Sequence, residues 1–482
     1  MKLNPQQQAA VQYLGGPLLV LAGAGSGKTG VITQKIKHLI VNVGYLPHTV
    51  AAITFTNKAA TEMQERVSKM LPKSQTRGLT ICTFHSLGMK ILREEANQIG
   101  YKKNFSILDS TDSAKIIGEL LGGTGKEAIF KAQHQISLWK NDLKTPEEAV
   151  QTASNVWEQQ TARVYASYQE TLQSYQAVDF DDLIRLPAVL LQQNSEVRNK
   201  WQRRLRYLLI DECQDTNTCQ FTLMKLLTGA EGMFTAVGDD DQSIYAWRGA
   251  NMENLRKMQE DYPQMKVIKL EQNYRSDANI LELANSVIVN NKNRKAKALW
   301  TDKAAGRKVT YRRLEDEQCE AWYIGGEIQR LHDDEGIPFN KMAILYRKNA
   351  QSRPFEEKFS FRGIPYRVLG GTRFYDRKEI KDVMAYMHLV DNPCDDVAMT
   401  RIINEPKRGI GAKSLGGIVS YAKAYRISIF EALKEPEVVG ALSGKAQTAA
   451  ANLVDMLDEL RAEQENIELA DVYDNLLRRS EY

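Results

Sequence analysis

Leu18-Leu19-Val20-Leu21-Ala22-Gly23-Ala24-Gly25-Ser26-Gly27-Lys28-Thr29 decides how this chain is read. Four strand-forming apolar residues run into a glycine-rich turn. The next segment, Val31–Val41, carries Ile32, Ile36, Leu39 and Ile40 at helical spacing. Strand, glycine turn and helix is the order of a phosphate-binding loop. Glycines let backbone N–H groups curl around phosphates, and the helix presents its positive end to them. On this reading Ala22, Gly23, Ala24, Gly25, Ser26 and Gly27 form the cradle, Lys28 reaches the β- and γ-phosphates, and Thr29 holds Mg²⁺. Ala22 stands where the usual pattern opens with glycine. The plain alternative is a glycine turn with a solvated lysine, so the rest of the chain has to decide.

Outward from this loop the pattern stays α/β. Ala51–Phe55, Leu79–Thr83, Tyr207–Ile210 and Phe234–Val237 read as short buried strands, alternating with helical stretches. That alternation predicts a mostly parallel sheet. The region from about Lys90 to Arg206 is polar and helical, an insertion between strands of the first sheet. A second α/β region begins near Tyr274, with strands predicted at Lys308–Tyr311, Met342–Tyr346 and Tyr366–Leu369, and the pattern is helical again from about Thr372. The length of 482 residues calls for several domains. No run of about 18 apolar residues occurs, so no membrane partner is expected. Five scattered cysteines without a C-x-x-C pair predict reduced thiols and a cytoplasmic protein. A net charge of +4 neither requires nor excludes nucleic acid.

Three further segments carry chemistry. Tyr207–Ile210 ends in Asp211-Glu212. A carboxylate at the end of a buried strand is where P-loop enzymes place the magnesium ligand. Asp211 would hold Mg²⁺ directly or through water, and Glu212 would orient and deprotonate the attacking water. Two solvated acids on a turn is the plain reading. Gly238–Gly249 also follows a strand: Gln242 could touch the γ-phosphate, while Tyr245 and Trp247 offer flat faces for stacked bases or serve as core aromatics. In Leu270–Ser276, Arg275 is the candidate for stabilising transition-state charge, against a surface salt bridge.

With these residues in view, the chain resembles a superfamily 1A DNA helicase of the Rep/UvrD/PcrA type, nearest to its Rep branch. Leu3-Asn4-Pro5-Gln6-Gln7 resembles the family's glutamine motif. Ile53–Ala60, Thr83–Leu87, Asp179–Leu183, Asp211–Thr216, Ala343–Arg347 with Asn349, Gln351–Arg353, Gly370–Thr372 and Pro406–Gly411 follow in the family's order. The resemblance implies two P-loop, RecA-like motor domains with helical insertions: 1–89 and 201–275 as the first motor domain, 90–200 as its insertion, 276–372 as the second, and 373–482 as a further helical subdomain. It implies that Gln7 reads the adenine edge and Tyr274 stacks on the base. Lys28, Thr29, Asp211, Glu212, Gln242 and Arg275 would form the hydrolysis site for ATP and Mg²⁺. Phe55, Tyr245 and Trp247 would stack on single-stranded DNA, with Asn57, His85, Arg248, Arg347 and Asn349 nearby on the strand. The activity implied is 3′–5′ translocation and unwinding in replication or repair, on single strands and their junctions with duplex, with accessory proteins as possible partners.

The chain departs from the family in three places. Gly30 stands where arginine usually packs on adenine, which predicts weaker ATP binding. Cys213 replaces a tyrosine or small residue. The family's last two motifs, one of them arginine-bearing, are not found between Arg275 and Tyr482. This predicts a fragment or truncated chain, an incomplete second motor domain and impaired hydrolysis. The competing reading is a non-motor nucleotide- and DNA-binding regulatory protein with a helicase-like fold.

Overall fold

The computed structural model describes residues 3–123, 125–246, 249–292, 294–295, 297–369, 378–464, 467–480 and 482. They form two compact units. The first comprises Met1–Lys308, Cys394–Val397 and Gly417–Ala432, and the second Val309–Pro393, Ala398–Gly416 and Leu433–Tyr482.

The first unit is built on a parallel sheet. Its strands are β1 (Leu18–Ala22), β2 (Val50–Thr54), β3 (Thr80–Thr83), β6 (Tyr207–Ile210), β7 (Phe234–Gly238) and β8 (Lys266–Leu270), in the order β3-β2-β6-β7-β1-β8. A separate two-stranded pair, β4 (Ser106–Ile107) and β5 (Ala177–Val178), lies between β3 and β6 in the chain. The near-continuous apolar runs follow from burial on both faces. Leu19, Leu21, Ala51, Ile53, Leu208 and Ile210 join one core, while Leu18, Val20, Val50, Ala52, Tyr207 and Leu209 join the other. Period two thus sends alternate residues to opposite sides. The four strands read from the sequence before Tyr274 are all present, as is the α/β fold.

Helices cover both faces. α1 (Pro5–Gln12) opens with a capping box in which Asn4 and Gln7 satisfy each other's backbone N–H. α2 (Lys28–Lys37) leaves the P-loop, α3 (Asn57–Met70) follows β2, and α4 (Phe84–Glu95) follows β3. α4 packs against the helix Asp182–Gln193 so closely that a Cβ on Gly88 would lie 1.9 Å from the Leu183 carbonyl oxygen. Helices between Ser110 and Ser174 have a core of their own, including Ile117, Ile136, Trp139, Tyr165 and Leu172.

In the second unit, the helices Glu317–Asp333 and Ser352–Arg362 pack together. Trp322 receives Lys358 and Arg362 over its ring, at 4.4 and 4.8 Å. The strands predicted at Lys308–Tyr311, Met342–Tyr346 and Tyr366–Leu369 are not found among the described residues: these segments join no ladder. Leu345, central to the second of them, is 90% exposed. Apolar alternation gives a segment a face to bury but no hydrogen-bonding partner, and a strand needs both. Further on, Lys378–Asp391, Gly444–Glu463 and Leu469–Ser480 pack as helices, burying Tyr386, Leu389, Leu457 and Leu476.

Candidate nucleotide and DNA site

Apart from Gln7, which lies on α1, the candidate nucleotide and stacking segments of the first unit lie at the carboxyl ends of strands. The P-loop follows β1, Phe55 follows β2, and His85 follows β3. Asp211-Glu212 follow β6, Asp239–Tyr245 follow β7, and Gln272–Arg275 follow β8. Parallel register brings these ends to one edge, where open α/β sheets bind ligands.

The P-loop turns its carbonyls outward. Gly23 O accepts from Ser26 Oγ at 2.7 Å, Ala24 O from Asn273 Nδ2 at 2.6 Å, Gly25 O from Tyr274 N at 3.0 Å, and Ser26 O from Gln7 Nε2 at 2.9 Å. Four consecutive carbonyls are therefore engaged, one by the loop's own Ser26 and three by residues outside the loop, which leaves the amides at the start of α2 for an anion. Gly25 and Gly27 take left-handed φ values of 68° and 84° to make this turn. Gly25 is crowded as well, since a Cβ there would meet Asn273 Nδ2 at 2.5 Å.

Facing the loop, Lys28 Nζ donates to Glu212 Oε2 at 2.8 Å, and Gln214 Nε2 donates to the same oxygen at 2.9 Å. Gln214 Oε1 accepts from Asp239 N at 2.9 Å, and Asp239 Oδ2 accepts from Gln242 Nε2 at 2.5 Å. One hydrogen-bonded chain therefore joins Lys28, Glu212 and Gln242. Glu212 sits at φ 51°, a left-handed backbone rare for a side chain of its size. Burial, with Glu212 beside it, pushes the Asp211 carboxyl up to about 6. A carboxylate so costly to charge gains most from a cation. With Thr29 in the first turn of α2, this donor set fits a magnesium–nucleotide.

Gln7 and Tyr274 meet through Asn4. Asn4 Nδ2 donates to Tyr274 Oη at 2.8 Å, and Gln7 Oε1 accepts from Asn4 N at 3.0 Å. Gln7 is buried, with its carboxamide tied to the P-loop and the cap, while the Tyr274 ring is exposed. Arg275 reaches the P-loop only through its stem. Its guanidinium is exposed and pairs with no carboxylate among the described residues.

At the same sheet edge, the Phe55 and Tyr245 rings stack, with centroids 5.5 Å apart and planes 24° apart. Asn57 begins α3, exposed. His85, whose pKa burial lowers, meets Phe180 edge-on at 5.9 Å. Trp247 and Arg248 lie outside the described residues, as do Gly370, Gly371 and Thr372. Arg347 and Asn349 belong to the second unit and are exposed.

Sequence reasoning gave no role to Asn4, Gln214 or Phe180. Asn4 was readable as an N-cap before proline. Phe180 is 54% exposed between carboxylates that are pinned inward: Lys140 Nζ bonds Asp179 and Asp182, each at 2.7 Å. Cys213 gains a steric reading. A Cβ on Gly238 would lie 2.6 Å from its Sγ, so the position lies against a neighbouring strand end and takes a small side chain. Burial pushes its thiol pKa well up, which removes it from thiolate chemistry.

A sequence model of the UvrD/REP helicase N-terminal domain matches residues 3–263, and one of the UvrD-like helicase C-terminal domain matches 268–473. The chain is 46% identical to the ATP-dependent DNA helicase Rep of Escherichia coli (strain K12), over 98% of this chain and 71% of Rep. It is 45% identical to Rep of Salmonella typhimurium over the same shares, and 44% identical to the ATP-dependent DNA helicase PcrA of Bacillus subtilis (strain 168) over 100% of this chain and 65% of PcrA. Both domain models are matched, so the expected truncation and incomplete second domain find no support here. The chain belongs to the UvrD/REP helicase family.

Proposed function

We propose that this protein is an ATP-dependent DNA helicase that translocates 3′ to 5′ along single-stranded DNA in replication or repair. The observation that carries this reading is the hydrogen-bonded chain Lys28–Glu212–Gln214–Asp239–Gln242, which ends three residues from the stacked Phe55–Tyr245 pair. On this reading nucleotide chemistry and a stacking platform share one edge of the sheet.

The residues divide the work. The α2 amides and Lys28 bind the phosphates, and Asn4, Gln7 and Tyr274 border the base. Phosphates in the cradle draw Lys28 away from Glu212, leaving Oε2 with the Gln214 amide alone and a lone pair for the proton of the attacking water. Gln242 senses the γ-phosphate, and Arg275 turns inward to meet developing charge. Thr29 and Asp211 would hold Mg²⁺, which neutralises phosphate charge when bound. Phe55, Tyr245 and Trp247 stack on bases, with Phe180, His85, Asn57, Arg248, Arg347 and Asn349 along the strand.

Among the described residues, no helix is long and apolar enough to cross a membrane. The five free cysteines fit a cytoplasmic setting, and accessory replication or repair proteins are natural partners. The intact Lys28–Glu212 pair favours a motor over a non-motor regulator. The test is ATP turnover with and without single-stranded DNA, alongside strand displacement from 3′- and 5′-tailed duplexes. DNA-stimulated turnover with displacement from the 3′ tail alone is expected. Displacement from the 5′ tail alone overturns the direction, and turnover indifferent to DNA overturns the motor.

A further inference from the structure

Asp239, Asp240 and Asp241 follow β7 in a row, and the first two are buried. Adjacent carboxylates out of water demand counter-charge. It comes from a distant stretch of chain. Lys297 Nζ lies 2.6 Å from Asp239 Oδ1 and 3.0 Å from Asp241 Oδ2, and also pairs with Asp240. Arg294 grips Asp241 with Nε and Nη2, at 2.8 and 2.7 Å. The backbone N–H of Lys295 donates to Asp240 Oδ2 at 2.7 Å. The three carboxylates are close enough to hold a metal ion, and the cation they hold is the Lys297 ammonium, itself buried.

Asp239 faces two ways. One oxygen takes Lys297, and the other takes the Gln242 carboxamide at 2.5 Å. Its backbone N–H donates to Gln214, which holds Glu212. The segment that carries Lys297 then continues across the site. Leu299 packs where a Cβ on Gly23 would stand, 2.1 Å from its Cδ2. Trp300 exchanges backbone hydrogen bonds with Glu271 and Asn273, at 3.1 and 2.7 Å. Residues 294, 295 and 297–300 therefore touch the loop after β7, the P-loop after β1 and the loop after β8.

We infer that, within the nucleotide site proposed above, Lys297 is a positioning residue that acts through Asp239 to aim Gln242 at the terminal phosphate. It touches neither nucleotide nor DNA. Without its charge, Asp239 Oδ1 keeps the Asp241 N–H at 3.2 Å but loses its one ionic partner, and the anchor of the Gln242 amide is loosened. A small misplacement of such a group is enough to lose its contribution.

The test is equilibrium binding of a non-hydrolysable ATP analogue and of ADP to the full chain, in Mg²⁺, for wild type, K297M, K297R, Q242A and the K297M/Q242A double variant. Wild type is expected to prefer the triphosphate. Q242A and K297M are each expected to lose about tenfold of that preference, the size of a lost hydrogen bond to a charged group. ADP affinity should hold in both, K297R should recover part of the loss, and the double variant should be no worse than Q242A. A purely structural lysine would lower the melting temperature and leave the preference of the folded protein at the wild-type value. A wild-type preference in K297M, beside a weakened Q242A, overturns the role of Lys297 and leaves the nucleotide site standing. A Lys28→Ala variant that binds both nucleotides like wild type overturns the site itself. Should K297M fail to fold, Asp239→Asn takes its place, since Lys297 keeps Asp240 and Asp241. It should show the same loss of preference, and an unchanged preference in D239N overturns the proposal.

Discussion

Phe55 and Tyr245 stack ring on ring although they follow β2 and β7, strands that flank β6 with its Asp211-Glu212 pair. The stacking platform therefore straddles the strand that bears the candidate catalytic carboxylates. A base inserted between the rings would push on loops that frame Glu212. Base–aromatic stacking contributes roughly 1–3 kcal/mol per base. Phe55→Ala and Tyr245→Ala should each weaken binding of a labelled single-stranded oligonucleotide by about five- to a hundredfold. Because the rings touch, the double variant should lose less than the sum. Wild-type anisotropy titrations for both single variants would remove the platform.

Glu212 is engaged by both Lys28 and Gln214. Glu212→Gln keeps the hydrogen-bonding shape and removes the base. Turnover should fall roughly a hundredfold or more, the usual contribution of a general base, while nucleotide affinity is retained. Lys28→Ala should instead lose affinity. If E212Q turns over at the wild-type rate, another group takes the proton.

Gly30 follows Thr29 in the first turn of α2, half-buried, with its carbonyl bonded to Thr33 Oγ1 at 3.1 Å. An arginine there could lie over the base opposite Tyr274. Gly30→Arg should tighten ATP binding by roughly 0.5–2 kcal/mol, a cation–π contribution. An unchanged Michaelis constant for ATP would show that adenine does not lie there.

These sites differ in how far the sequence reveals them. The P-loop was readable because its glycines, lysine and threonine sit in one continuous stretch. Asp211 and Glu212 were readable because an apolar strand points at them. Gln214 and Lys297 were hidden, because their partners come from β7, and only sheet order brings those close. Gly238 explains Cys213 only once β6 and β7 are known to be neighbours. The strands predicted in the second unit failed for the same reason in reverse. Ile344, Leu345 and Tyr346 have strand-like composition, but pairing is a property of a partner that composition does not name. The outward carbonyls of the P-loop were equally out of reach, since Gln7, Asn273 and Tyr274 supply their donors from far along the chain.

Lys35 yields a prediction with a sign. It lies on α2, fully buried, and Nζ donates to Ala10 O at 2.8 Å and Tyr13 O at 2.7 Å, the last carbonyls of the helix that carries Gln7. Burial lowers its pKa from 10.5 to about 7. Between these values the unfolded chain holds a proton that the folded chain has released. Stability therefore rises with pH across that window, and the penalty of a buried ammonium is fully present below pH 7. Lys35→Met has no such proton to release. Urea melts of wild type and K35M from pH 7 to 9.5 should show the difference shifting steadily in favour of wild type as pH rises, and parallel curves would mean that Lys35 stays charged when folded.

Gly238 offers the sharpest steric test. It ends β7, and a Cβ there would lie 2.6 Å from both Cys213 Sγ and Gln214 Oε1. Neither neighbour can yield cheaply: Cys213 is buried, and Gln214 is held at one end by Asp239 N and at the other by Glu212. Gly238→Ala should therefore cost about 1–3 kcal/mol, as overpacking does in a filled core. It should also push Gln214 off Glu212 and lower turnover more than the loss of folded protein explains. Cys213→Ala in the same chain makes room on one side, so it should return part of the stability. It leaves the Gln214 clash in place, so it should return little of the activity. Equal recovery of both in the double variant would mean that Gln214 does not set the Glu212 carboxylate.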